Sequence, residues 1–104
     1  MKYMVIGTRN LVPMEPAMAV NLFQAAKEWV KARLADGTLD LHYFHVDTSG
    51  GFTISNADSH EEVMDRLLDY PLYVFFDWEA IGLVDWSHGY DKMIEFFQKI
   101  AAMA

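Results

Sequence analysis

The stretch Tyr70-Pro71-Leu72-Tyr73-Val74-Phe75-Phe76-Asp77-Trp78-Glu79 decides how the fold is read. Pro71 cannot continue a helix, and the segment after it is short and rich in aromatic and β-branched residues. This composition predicts a strand over Leu72 to Glu79. Alternate side chains of a strand face opposite ways, so Val74, Phe76 and Trp78 are expected on one side and Tyr73 and Phe75 on the other. A sheet covered by helices on one side needs large apolar groups on that side only. Burying one such ring is worth roughly 1.5–3 kcal/mol, so a second copy packing sheet to sheet is the expected cover for the other side. A C-terminal helix folded back over its own sheet is the alternative.

Upstream of Pro71, Ser59-His60-Glu61-Glu62 places a hydroxyl at a helix start and a carboxylate three residues on, the pattern of a capping box. Val63, Met64, Leu67 and Leu68 then supply one apolar helical face. Before that helix, Leu39 to Val46 and Phe52 to Asn56 read as strands joined by Asp47-Thr48-Ser49-Gly50-Gly51, which predicts an antiparallel hairpin. Strand two also mixes its faces, with Leu39, Leu41 and Tyr43 opposite Phe44 and Val46. Further upstream, Leu22, Phe23, Ala26, Trp29, Val30 and Leu34 recur at helical spacing within Ala17 to Ala35, with Asp36-Gly37 as the stop. Tyr3 to Thr8 reads as the first strand.

Downstream, Met93, Ile94, Phe97 and Ile100 predict the buried stripe of a last helix from about Tyr90 to Ala102. The order is β-α-β-β-α-β plus one helix, the split βαβ arrangement. The expected fold is α+β and ferredoxin-like, with an extra C-terminal helix, as a single domain over residues 1–104 that pairs into a dimeric α+β barrel.

Composition narrows function by exclusion. The hydrophobic share of 53% and charged share of 22% are those of an ordinary globular chain. Aromatic residues make up 14%, so rings must fill a core, an interface or a pocket. The net charge of −7 and the lack of any Lys/Arg cluster argue against nucleic acid and against an anionic membrane surface as partners. The absence of cysteine removes disulfides, thiolate metal sites and a Cys nucleophile. The opening run Met1 to Ile6 meets Gly7, Thr8 and Arg9 too soon for a signal-peptide core, and a cytoplasmic address is expected.

Ala26 to Leu83 resembles muconolactone isomerase of the dimeric α+β barrel superfamily. The resemblance lies in Lys27-Glu28 with Asp36-Gly37-Thr38, in Asp58-Ser59-His60-Glu61-Glu62, and above all in Tyr70-Pro71-Leu72-Tyr73 followed by Asp77 and Gly82-Leu83. It implies a proton shift on an unsaturated lactone without metal or cofactor. The chain departs from the family pattern at Ala25-Ala26, where the family has acidic residues, and at Asp40-Leu41, where it has basic ones. Thr48-Ser49-Gly50-Gly51 likewise replaces the family's His-Tyr-Ala-Asn turn.

Proton-transfer chemistry needs a base that titrates near neutrality and a donor for the developing enolate. His42 and His45 are candidates because imidazole titrates there; three positions apart on a strand, they are expected on opposite sides of the sheet. Asp77 shares a face with Glu79 and is a further candidate, and Glu28 is carried by the resemblance. Tyr43, Phe75, Trp78 and Trp29 are the rings expected to contact a small apolar ligand. No cofactor is expected. A non-catalytic binding or assembly module, or a cofactor-free monooxygenase of the same superfamily, is the alternative to an isomerase.

Overall fold

The structure, a computed structural model, describes residues 1–103. Its elements are β1 (Lys2–Arg9), α1 (Pro16–Ala35), β2 (Leu39–Phe44), β3 (Gly50–Asn56), α2 (His60–Asp69), a short 3-10 turn (Tyr73–Phe75), β4 (Phe76–Leu83) and α3 (Trp86–Met103). Four strands form one sheet in the order β2-β3-β1-β4, and every neighbouring pair is antiparallel. This is the ferredoxin-like order with an additional C-terminal helix.

Local chemistry sets the helix ends. Glu15 accepts from the backbone N–H groups of Ala17 and Met18 at the start of α1. Ser59 accepts from Glu62 N, the first half of the expected capping box, while the Glu62 carboxylate reaches one residue past the cap and accepts from Asp58 N. Gly37, at φ +80°, supplies the left-handed residue that turns the chain from α1 into β2.

Cross-strand pairing assigns the two faces. Tyr3, Val5 and Gly7 of β1 lie beside Ser55, Thr53 and Gly51 of β3 and beside Gly82, Ala80 and Trp78 of β4. Tyr3, Val5, Ala57 and Val63 form one buried cluster against α2, and Ala26, Leu72 and Phe75 form a second against α1. The other face presents Met4, Ile6, Phe52, Ile54, Leu41 and Tyr43.

Three expectations are corrected. The segment from Tyr73 to Phe75 is a 3-10 turn, and β4 begins only at Phe76. The amide of Phe75 donates to Leu72 O at 3.0 Å, and Trp78 Nε1 donates to Tyr73 O at 2.9 Å. These bonds hold the chain in a tight turn that drops Leu72 and Phe75 into the core, so Tyr73 and Phe75 lie on no strand face. In β2, a bulge between Leu39 and Leu41 puts Leu39 on the helix-covered side and leaves Leu41 and Tyr43 on the open one. Finally, α3 starts directly after Val84 and Asp85, and none of its residues is buried. Met93, Ile94, Phe97 and Ile100 therefore form an apolar stripe that covers no part of their own chain, and the sheet's open face stays uncovered.

Candidate functional site

Between the sheet and the two helices runs a cleft of about 200 Å³ with almost wholly apolar walls. That volume suits a small organic molecule. Phe23, Trp29 and Val30 of α1 form one wall, which explains why the apolar stripe of α1 buries only Ala26: part of it faces the cleft. Val63, Leu67 and Tyr70 of α2 and its exit form another, and Trp78 and Phe76 of β4 close the side. The Trp78 ring lies across Gly7, where a Cβ would come within 2.7 Å of it, so glycine there lets the indole lie flat against the sheet.

His42 is the titratable base among the lining residues. The β2 bulge and the pairing of His42 with Thr53 place it on the helix-covered face. Nδ1 lies 3.2 Å from Phe52 O. A carbonyl can only accept, so Nδ1 carries the proton and Nε2 of the neutral ring is the basic nitrogen. Burial pushes the His42 pKa below the ordinary imidazole value, and the Phe52 carbonyl offsets this only in part. The imidazole is therefore held neutral at physiological pH, as a general base requires. Tyr70 shows the opposite shift: burial raises its pKa above the usual phenol value, keeping the hydroxyl protonated as a donor. Its ring meets Trp29 and Trp78 edge to face, at 5.2 and 5.6 Å.

The structure separates the other expected site residues. Trp29 and Trp78 join His42 in the cleft wall. His45 lies in the turn after β2, with Nδ1 at 3.3 Å from Ser49 Oγ and its ring stacked on Phe52; it is not itself among the residues that line the cleft. Tyr43 is on the open face, stacked on Phe52. Asp77 lies on that same open face, beside Thr8 and exposed. Glu28 is exposed on α1, and Phe75 is buried in the second core cluster. Sequence reasoning missed Arg9, Arg66 and Tyr70 in the lining. The last two had a legible signal: Val63, Arg66, Leu67 and Tyr70 recur at helical spacing on one face of α2 and its exit.

The sheet order, with both helices on one face and a cleft between them, defines a ferredoxin-like α+β protein. The chain is muconolactone isomerase-like: a crystal structure of muconolactone isomerase matches it at 27% identity with a TM-score of 0.73, over 82% of this chain and 90% of that one. A second similar structure is the 5-chloro-2-hydroxyhydroquinone dehydrochlorinase TftG from Burkholderia phenoliruptrix AC1100, in complex with 2,5-dihydroxybenzoquinone. It has 14% identity and a TM-score of 0.64 over 85% of this chain and 98% of that one, and it supports the fold alone. No protein-family model and no curated protein sequence matches the chain.

Proposed function

We propose that this protein binds a small cyclic or aromatic-derived compound in the cleft and moves a proton on it without a cofactor, as a muconolactone isomerase-like isomerase. The observation that carries this reading is His42: a neutral imidazole fixed through Nδ1 in an apolar, ligand-sized space. Nε2 takes a proton from a carbon beside a carbonyl, the Tyr70 hydroxyl donates to the enolate oxygen that develops, and His42 returns the proton at the far end of the conjugated system. The apolar walls strengthen both interactions by lowering the local dielectric.

Filling the space tests the reading without touching the base. Val30→Phe adds bulk at the cleft wall of α1, so a ligand found by thermal shift on the wild type is expected to lose its stabilising effect on this variant. At a ligand concentration about 100 times Kd the wild-type effect is about 2.7 kcal/mol. Undiminished stabilisation of a folded Val30→Phe variant would put the ligand elsewhere.

The working form in this proposal is a homodimer. Leu41, Tyr43, Phe52, Ile54, Met4 and Ile6 make one apolar face of the sheet, and the chain leaves it open. Tyr43 is 62% exposed and Ile81, on the same face, 40%. A contiguous patch of this kind marks an association surface, and two sheets packed face to face would close it as a barrel. Ile54→Lys puts a charge at the centre of that face. Light scattering is expected to give a dimer for the wild type and a monomer for the variant, with far-UV circular dichroism unchanged. A wild-type monomer at micromolar concentration would contradict the dimer.

A further inference from the structure

Helix α3 stands out from the body of the protein. The molecule is 64 Å long but only 30 by 25 Å across, and none of the described residues of α3 is buried. A helix of this length is marginal in water by itself, because helical stability in proteins comes mostly from packing an apolar face. That face is well defined. Trp86, Tyr90, Met93, Phe97 and Ile100 follow one another at alternating steps of four and three residues, the spacing of a seam along which helices pack together. Asp91, Lys92, Glu95 and Lys99 fall on the opposite side, where Glu95 pairs with Lys92 at 3.2 Å and with Lys99 at 3.6 Å. The seam therefore carries no charge.

Three observations select its partner. Helices α1 and α2 already turn their apolar residues to the sheet and the cleft, so the helical seam still open to α3 is that of another copy. The area agrees: with roughly half to three-quarters of each seam side chain exposed, and about 150–250 Å² for a whole ring, one seam offers about 600 Å². Two seams pressed together remove about 1,200 Å² from water, enough for a specific interface and more than a monomer usually leaves exposed. The seam also continues the open face of the sheet, because Ile81 and Leu83 lie on that face of β4 and exposed Val84 leads on to Trp86.

We propose that α3 pairs with the α3 of a second copy along this seam and clasps the homodimer outside its sheets. This rests on the homodimer reading above and adds a second contact with residues of its own. The contact is helix on helix and isologous, the same surface on both chains. Met93 is the middle of the five seam residues, so it meets itself whether the two helices run parallel or antiparallel.

The chain has no cysteine, so a single introduced one reports a single place. Met93→Cys is expected to form an intermolecular disulfide in most of the protein under mild oxidation, and Gln98→Cys, on the far side of the helix, in little of it. Phe97→Glu is expected to raise the dissociation constant of the dimer, measured by sedimentation, at least about thirtyfold, the effect of losing one interface hot spot. A Met93→Cys cross-link together with a dimer that persists in Ile54→Lys supports the α3 pairing and overturns the sheet contact. A wild-type dimer in which Met93→Cys and Gln98→Cys cross-link alike, or neither does, overturns the α3 pairing and leaves the sheet contact standing. So does an unaltered dissociation constant in Phe97→Glu. A monomeric wild type overturns both.

Discussion

Leu72→Ala is expected to lower the free energy of unfolding by about 2–5 kcal/mol, the range for emptying a leucine site in a packed core. Leu72 is 1% exposed, the most enclosed large side chain in the protein. It packs with Ala26 and Phe75, and Met14, Leu22, Tyr70 and Phe76 lie against that cluster. The site ties α1 to the turn that precedes β4, and neither can follow an alanine inward. The turn is pinned by Phe75 N to Leu72 O and by Asn10 N to Phe75 O, both backbone bonds that the substitution leaves in place. A domain of this size has a total stability of about 5–15 kcal/mol, so the loss consumes a large share of it. Urea unfolding read by circular dichroism measures the shift in midpoint, and an unchanged slope would confirm that the folded and unfolded states keep their compactness. A loss below about 1 kcal/mol would mean that the second core cluster contributes little to holding α1.

The same residue shows what the sequence makes legible and what it hides. Ser59 to Glu62, Asp36-Gly37 and the loop from Asp47 are local signals, set by hydrogen bonds within a few residues, and the helices and hairpin derive from them. The strand order is legible too, because each helix carries the chain past one strand. The turn from Tyr73 to Phe75 is not local: aromatic alternation alone favours a strand, and only the contacts of Leu72 and Phe75 with α1 and of Asn10 with the Phe75 carbonyl overrule it. The β2 bulge is similar. Strict alternation puts Leu39 with Leu41, whereas the pairing of Leu39 with Ser55 and of Leu41 with Ile54 splits them. The stripe on α3 is legible in the sequence, but its burial within the chain is not. Amphipathic spacing states that a face needs a partner and says nothing about which chain provides it.

The site is partly legible for the same reason. Strand alternation predicts His42 and His45 on opposite sides, and the choice between them depends on which side the helices take; β2 ends at Phe44, so His45 falls in the turn instead. Trp29 and Trp78 declare themselves by size. Arg9 gives no signal in one dimension: its place in the lining comes from Phe76, far along the chain and brought beside it by the pairing of β1 with β4.

His42→Ala is expected to reduce proton transfer in the cleft by roughly 10²–10⁴-fold, the usual contribution of a positioned general base. Isomerisation of α-angelica lactone to its conjugated β isomer, followed by ultraviolet absorbance, is a suitable reaction because one proton leaves one ring carbon and returns at another. The loss should fall mainly on kcat, since the imidazole acts on the transferring proton and the apolar walls that hold the ring are untouched. His45→Ala is the matched control: that imidazole is not among the cleft-lining residues, and its removal is expected to change turnover by less than about twofold. The pH profile separates a base from a merely structural histidine. The working form is the neutral ring, so protonation stops the reaction and the rate falls as the solution becomes more acidic. Because burial lowers the His42 pKa, that fall is expected below the ordinary imidazole value, and the rate should be level above it. Retention of the acid limb in His42→Ala, or turnover within about fivefold of the wild type, would assign the proton transfer to another group and leave His42 as part of the cleft wall.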